Sequence, residues 1–172
     1  MVKRTLFVAA VALMSLPAWQ LRADEPKPAG SPLLGYLAGH AYDEAAAGEF
    51  AADEYGMKKY VMALLKRGPN RTTDKKKAEE LQAAHLKNIG RMSAEGKLVL
   101  AGPFLDDGEL RGIYIFNVAT VAEAEALTRS DPAVRAGSLV MELKEWYGSA
   151  ALVAVNGIHR RLAKESLTGA GK

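Results

Sequence analysis

The order in which strand-like and helix-like segments follow one another constrains the fold of this chain more than any other feature of its sequence. Between residues 57 and 148, short apolar runs bounded by Gly, Pro and Asp alternate with longer segments of helical periodicity. We interpret the short runs as strands and the longer segments as helices. The predicted elements are a strand at 59–66, a helix at 74–95, strands at 98–101 and 112–118, a helix at 120–130 and a strand at 139–146.

The first predicted helix has one apolar face that contains a single titratable residue. The members of this face recur at spacings of three and four, and they are Ala78, Leu81, His85, Ile89 and Met92. His85 is therefore expected to point toward the sheet. The second helix begins with the capping box Thr120–Glu123, and the Asp131-Pro132 step restarts the chain in a short helical turn.

This order predicts an α+β fold of the ferredoxin-like β-α-β-β-α-β type, with a four-stranded antiparallel sheet and both helices on one face. The first strand is apolar at both alternating sets of positions, so both faces of the sheet should be covered. A second copy of the same sheet is the simplest cover for the outer face. We therefore expect a homodimer of the dimeric α+β barrel type.

The ends of the chain differ in composition from this central domain. Residues 1–23 begin with Lys3 and Arg4, continue with a short apolar run and end in a small residue, which is typical of a signal peptide. An uncleaved membrane anchor is the alternative. Residues 24–56 read as a flexible linker with one poor helix near 42–52, residues 57–148 as the domain, and residues 149–172 as a C-terminal extension.

Charge and cysteine content exclude several functional classes once the signal peptide is set aside. The three cations in residues 1–23 account for the formal net charge of +3, so the remaining chain is neutral. Nucleic-acid binding is not expected for a neutral chain. The chain has no Cys, so it gains no disulfide in an oxidising compartment. We expect a secreted or periplasmic protein without stable membrane insertion after signal cleavage.

His85 is the sharpest candidate for chemistry. An imidazole that faces the core needs a partner for each nitrogen, and a carboxylate on one nitrogen would orient the other for acid–base work near neutral pH. A structural His bonded to the backbone is the alternative. Asp131 directly precedes Pro132, so it is expected to be a helix N-cap, a role worth about 1 kcal/mol. A carboxylate has two oxygens, so capping does not exclude a second contact.

Several segments together resemble the YciI-like (YCII-related) family over about residues 59–147. The segments are AHLKNIGRM (84–92), EGKLVLAGPF (95–104), RGIYIF (111–116), DPAVRAG (131–137) and a strand that ends in Trp146. The resemblance implies a dimeric α+β barrel and an active site around His85 and Asp131. The family includes an enzyme that removes chloride from a chlorinated hydroxyquinone. Membership of the family does not by itself identify the substrate of this chain.

Four further residues are candidates for substrate binding. Arg111 and Arg71 would supply a cation for a phenolate or carboxylate, Asp106 a polar rim, and Trp146 an aromatic wall. Surface, turn-forming and packing roles are the alternatives. We expect no metal and no cofactor, because His40, His85 and His159 are far apart in sequence and no phosphate or dinucleotide motif occurs.

Two classes of function remain open from the sequence. The first is a cofactor-independent lyase- or isomerase-type enzyme, in which His85 moves a proton on a small cyclic or phenolic substrate and Asp131 orients the ring. The second is a non-catalytic dimer that binds a small molecule or serves a structural role.

Overall fold

The structure is a computed structural model in which residues 41–168 are described. The predicted signal peptide and most of the predicted linker lie outside the described residues. The elements are α1 (Glu44–Glu49), β1 (Met57–Arg67), α2 (Lys75–Ala94), β2 (Leu98–Pro103), β3 (Leu110–Phe116), α3 (Val121–Arg129), α4 (Pro132–Arg135), β4 (Leu139–Ser149), a 3₁₀ helix (Ala150–Ala154) and α5 (Val155–Leu162).

The sheet has four strands in the order β2-β3-β1-β4, and every neighbouring pair is antiparallel. β1 and β3 lie in the centre, as the β-α-β-β-α-β order requires. The predicted α+β fold is therefore confirmed. Each predicted strand and helix is present, with boundaries that differ by a few residues.

The main core lies between the sheet and α2, α3 and α4. On β1, the alternating residues Val61, Ala63 and Leu65 face the helices, and on β3 the residues Tyr114 and Phe116 do so. The helices contribute Met92, Ile89, Ala124 and Leu127 to this layer. The inward face of the sheet is thus a continuous buried surface on which α2 rests.

The opposite face of the sheet, here called the outer face, is covered in part by the C-terminal extension. Tyr60, Val99 and Ile115 are buried there against Leu152 and Val153 of the 3₁₀ helix, with Trp146 beside them. Residues 150–162 of this extension form the 3₁₀ helix and α5. Two side chains of this face, Leu64 on β1 and Ile113 on β3, remain only half-buried.

The predicted linker is partly folded within the described residues. Asp43 caps α1 by accepting from Ala46 N at 3.0 Å, and Asp53 accepts from Met57 N at 3.0 Å and from the Tyr147 hydroxyl. Ala150 N donates to Gly56 O at 2.9 Å, so this segment is tied to the end of β4. The compact unit accordingly begins at Asp43 and not at residue 57. The Gly- and Ala-rich composition favoured the interpretation as a linker, so these side-chain caps were not predicted.

A close backbone approach at Gly68 fixes the segment that follows β1 against the one that precedes β4. Gly68 N donates to Ser138 O at 2.9 Å, and Asn70 N donates to Gly137 O at 3.0 Å. A Cβ on Gly68 would collide with the Gly137 carbonyl oxygen and approach Ser138 C to 2.6 Å. These are backbone atoms, which cannot rotate aside.

We expect Gly68→Ala to lower the free energy of unfolding by about 1–3 kcal/mol, because the added methyl forces two backbone segments apart. Gly102→Ala is the matched control, since a Cβ there meets nothing within 4 Å, and its effect should stay within about 0.5 kcal/mol. Urea unfolding of both variants measures the difference. Equal midpoints for the two variants would contradict the steric argument.

Candidate functional site

The candidate site begins with His85 in the middle of α2. The helix starts at an N-cap, Asp74, whose side chain accepts from Lys77 N at 3.2 Å. His85 lies on the apolar face of this helix, which packs against the sheet. It is therefore only 7% exposed. The inward orientation expected from the helical periodicity is confirmed.

Asp131 lies directly against His85 and is fully buried. Its two carboxylate oxygens lie 2.9 and 2.8 Å from His85 Nδ1. Oδ1 also accepts from Ala133 N at 2.8 Å, which makes Asp131 the N-cap of α4. One carboxylate therefore performs both roles that the sequence analysis considered, capping and contact with the imidazole.

Tyr114 completes a three-residue arrangement that sequence reasoning missed. Its hydroxyl lies 3.2 Å from His85 Nε2, and the two rings are stacked with centroids 6.2 Å apart. Strand alternation in GIYIF places Tyr114 on the inward face with Phe116. The partner opposite Tyr114 on β1 is Ala63, a small residue. Strand alternation in the sequence could have predicted that Tyr114 faces the helices. It could not have predicted which helix residue Tyr114 contacts.

The partners of His85 define its tautomer through the donors and acceptors that they offer. A carboxylate only accepts, so Nδ1 carries the proton that is donated to Asp131. Nε2 of the neutral ring then accepts from the Tyr114 hydroxyl. In a protonated ring, Nε2–H would instead donate to the Tyr114 oxygen. The arrangement can therefore hold one additional proton without leaving a ring nitrogen unpaired.

Tyr114 is held in its neutral form. Burial raises the pKa of Tyr114 well above its usual range, and the nearby Asp131 carboxylate raises it further because a phenolate would be repelled. The hydroxyl thus keeps its proton over the whole physiological pH range. The pair is almost completely buried, since the His85 side chain is 9% exposed and Asp131 not at all.

A second polar contact, one helical turn further along α2, holds the Asp131 segment in place. Arg91 Nη2 donates to Asn88 Oδ1 at 2.9 Å and to Ser130 Oγ at 3.0 Å. The Ser130 hydroxyl also lies 3.3 Å from Asn88 Oδ1. Ser130 directly precedes Asp131, so this contact fixes the junction of α3 and α4 against α2.

Two of the four proposed substrate-binding residues contact each other at the turn between β2 and β3, with Asp106 in the turn and Arg111 at the start of β3. Arg111 Nη1 donates to Asp107 Oδ1 at 3.1 Å and to Asp106 O at 3.2 Å, while Asp106 Oδ1 accepts from Gly108 N at 2.7 Å. A hydrogen bond from Arg67 is the largest cause that lowers the pKa of Asp107. None of these contacts involves the candidate site, so they stabilise the turn.

The other two substrate-binding candidates are also not brought to His85 within one chain. Trp146 lies opposite Tyr60 on the outer face of the sheet, with ring centroids 5.9 Å apart. Arg71 is exposed in the loop before α2 and forms no ion pair with any described residue. The packing role of Trp146 was the alternative considered from the sequence.

Residues 41–168 can also be described with respect to metal ligands and membrane-spanning helices. No group of three His, Cys, Asp or Glu side chains lies close enough to hold a metal ion within this range. In the same range, no helix is both long and apolar enough to cross a membrane.

Comparison with known proteins gives one family and two individual similarities. The model of a family described as the YCII-related domain matches residues 59–147, just over half of the 172 residues. An uncharacterized protein, YjpA of Bacillus subtilis (strain 168), is 34% identical over 68 residues, which are 40% of this chain and 78% of that protein.

A solved structure, the 5-chloro-2-hydroxyhydroquinone dehydrochlorinase of Burkholderia phenoliruptrix in complex with 2,5-dihydroxybenzoquinone, is also similar. It shares 22% identity at a TM-score of 0.38, with 49% of this chain and 92% of that chain covered.

Because the folded state keeps the Tyr114 proton, stability should fall at alkaline pH. Above a pH of about 10 the unfolded chain loses this proton and the folded chain does not. The free energy of unfolding then decreases by up to about 1.4 kcal/mol per pH unit from this group. Tyr114→Phe removes that contribution, so its stability should fall less steeply than that of the wild type.

Urea unfolding between about pH 9 and pH 11 measures these slopes. Tyr55→Phe is the control, because Tyr55 is 76% exposed and its loss should leave the wild-type slope unchanged. Parallel slopes for the wild type and Tyr114→Phe would mean that Tyr114 titrates normally in the folded chain.

Proposed function

Since this chain belongs to the YCII-related domain family, we propose that it uses His85 as an acid–base group on a small cyclic or phenolic molecule. The reaction would be an elimination or an isomerisation that requires no cofactor. The observation that carries this proposal is the buried hydrogen-bonded chain Asp131–His85–Tyr114. A carboxylate on Nδ1 and a hydroxyl on Nε2 orient the ring for proton transfer.

The proton would enter and leave through Nε2. Nε2 accepts a proton from the substrate, either directly when the Tyr114 side chain turns aside or through the Tyr114 hydroxyl, which passes on its own proton. Asp131 balances the charge on the imidazolium and does not change its protonation. The proton then returns to another atom of the substrate in an isomerisation, or to the departing group in an elimination. Neither reaction transfers electrons to an external acceptor.

The surroundings of Nε2 support a flat apolar substrate. The ring of Tyr114 stacks on His85, and Phe116 packs edge-on against Tyr114 at a centroid distance of 5.7 Å. Aromatic edges and faces of this kind favour cyclic and phenolic molecules over extended polar ones. No cation among the described residues is bonded to these three side chains, so His85 itself would compensate negative charge on the substrate.

A homodimer is the second part of the proposal. Leu64 and Ile113 lie side by side on the outer face of the sheet and are only half-buried, next to the ion cluster Lys66–Glu142–Lys144. A twofold interface would bury this strip against its own copy. Because the C-terminal extension already covers the Tyr60 end of the same face, the contact would centre on the uncovered end.

Secretion is the third part, and it rests on the sequence of residues 1–23 alone. The cationic start, the short apolar run and the small residue before Asp24 support export followed by cleavage. We therefore propose a secreted or periplasmic location for the folded domain.

His85→Gln should reduce turnover by about 10²–10⁴-fold, because the acid–base group is lost while a polar side chain of similar size remains. His159→Gln is the matched control, since His159 is exposed in α5 and should leave turnover unchanged. Screening of phenols, hydroxyquinones and small lactones with the wild type supplies the substrate. Thermal unfolding of each variant separates lost chemistry from lost folding.

Two results would contradict an enzymatic function and favour a different one. If ligands from the screen bind and His85→Gln loses that affinity but no product ever forms, the protein is a small-molecule binder. If His85→Gln only lowers the unfolding temperature and no ligand is found, the three side chains serve the fold. The ¹⁵N shifts of His85 add an independent check, because the proposal requires a proton on Nδ1 and none on Nε2 in the neutral ring.

Leu64→Glu should convert the dimer into a monomer, because it places a charge in the centre of the proposed interface. Leu105→Glu is the control, since Leu105 is fully exposed in the turn between β2 and β3 and should leave the dimer intact. Sedimentation velocity distinguishes the two states. A wild-type monomer, or a dimer that survives Leu64→Glu, would contradict the interface.

A further inference from the structure

A cavity of about 300 Å³ lies between the YCII-related domain and the C-terminal extension. One wall comes from the end of α2 and from β2, with Ser93, Gly96 and Val99. The other comes from residues that follow the family match, with Val153, Asn156 and Arg160. The cavity exists only because the extension folds back onto the domain, and it does not include His85, Asp131 or Tyr114.

The polar groups of the cavity are arranged with their acceptor atoms free. Asn156 Nδ2 donates to Leu98 O at 2.7 Å, and Asn117 Nδ2 donates to Gly96 O at 3.2 Å. Since the amide nitrogens are engaged by carbonyl oxygens, the side-chain oxygens of both residues remain as acceptors. Ser93 Oγ has no hydrogen-bond partner among the described residues either.

Arg160 is the single charge of the cavity. None of the residues that line the cavity is acidic, and Arg160 forms no ion pair or hydrogen bond with any described residue. Its guanidinium rests beside Gly157, where an added Cβ would lie 4.0 Å from Nη2.

We propose that this cavity binds a small organic carboxylate that also bears hydroxyl or ammonium groups. The planar guanidinium of Arg160 would hold the carboxylate through two parallel hydrogen bonds. The free oxygens of Asn117 and Asn156 would accept from the hydroxyl or ammonium groups. The cavity volume is at the lower end of the range for ligand sites, which suits a molecule of a few carbon atoms.

The site is separate from the acid–base chemistry proposed for His85. Arg160 and Asn156 lie in the extension, whereas His85, Asp131 and Tyr114 lie between the sheet and the helices of the family domain. Ligand binding here can therefore be measured whether or not the protein is an enzyme, and His85→Gln should leave it unchanged.

The test is NMR titration of the full chain with L-malate and L-glutamate, with the uncharged diamide of malate as the neutral comparison. The side-chain amides of Asn117 and Asn156 and the Arg160 Nε–H report on the cavity. We expect saturable shifts at these groups with a Kd of about 1–10 mM for the carboxylates and none for the diamide.

Arg160→Gln should weaken this binding at least about tenfold, which corresponds to loss of a bidentate charged pair. Arg161→Gln is the matched control, because the neighbouring Arg161 does not line the cavity, and it should keep the wild-type affinity. Arg160→Lys keeps the positive charge but loses the planar guanidinium. Its affinity should therefore lie between that of Arg160→Gln and that of Arg161→Gln.

Three results would overturn the proposal. Equal losses in Arg160→Gln and Arg161→Gln would show nonspecific attraction to the basic end of α5. Saturation by inorganic phosphate but by neither carboxylate would show that the ligand class is wrong. Absence of saturable shifts up to about 100 mM of every probe, tenfold above the weakest expected Kd, would show that the cavity is not a binding site for anions.

Discussion

The buried carboxylate of Asp131 is the group on which the rest of this structure depends. A fully buried charge is expensive unless every one of its oxygens is paired. Here the two oxygens are shared between Ala133 N, which starts α4, and His85 Nδ1, which belongs to α2. The same side chain thereby begins α4 and fixes it against α2. The position of the imidazole over β3 follows from these contacts.

The sequence predicts the fold well because its periodicities and caps agree with one another. Strand alternation, the Thr120 capping box and the Asp131-Pro132 step each mark an element that is present. The inward orientation of His85 also follows from spacing alone. Its contact with Asp131 does not, since periodicity places each residue on a face but cannot bring two faces together; only the family resemblance implied that pair.

Tyr114 and the four substrate-binding candidates show what local sequence patterns cannot predict, namely contacts between residues that are distant in the chain. Tyr114 reads as one more apolar strand residue, and its meeting with His85 depends on how α2 crosses the sheet. Arg111, Arg71 and Asp106 were chosen by charge, and charge does not indicate which neighbour a side chain will find. Trp146 was chosen as an aromatic at a strand end, but alternation puts it on the face away from His85. Long-range geometry decided each of these cases.

The double role of Asp131 has a consequence for how relatives of this protein are interpreted. A descendant in which these residues carried no reaction would still need a cap for α4 and a partner for the imidazole. Selection for folding alone would then preserve both residues. A matching His and Asp in another sequence is consequently a marker of architecture, and an inactive pseudoenzyme would retain it. Tyr114 caps nothing, and although its ring packs in the core, its hydroxyl bonds only to His85 among the described residues. A Phe at this position would keep the packing and remove the hydroxyl, so it would be the first visible sign that an acid–base role had been lost.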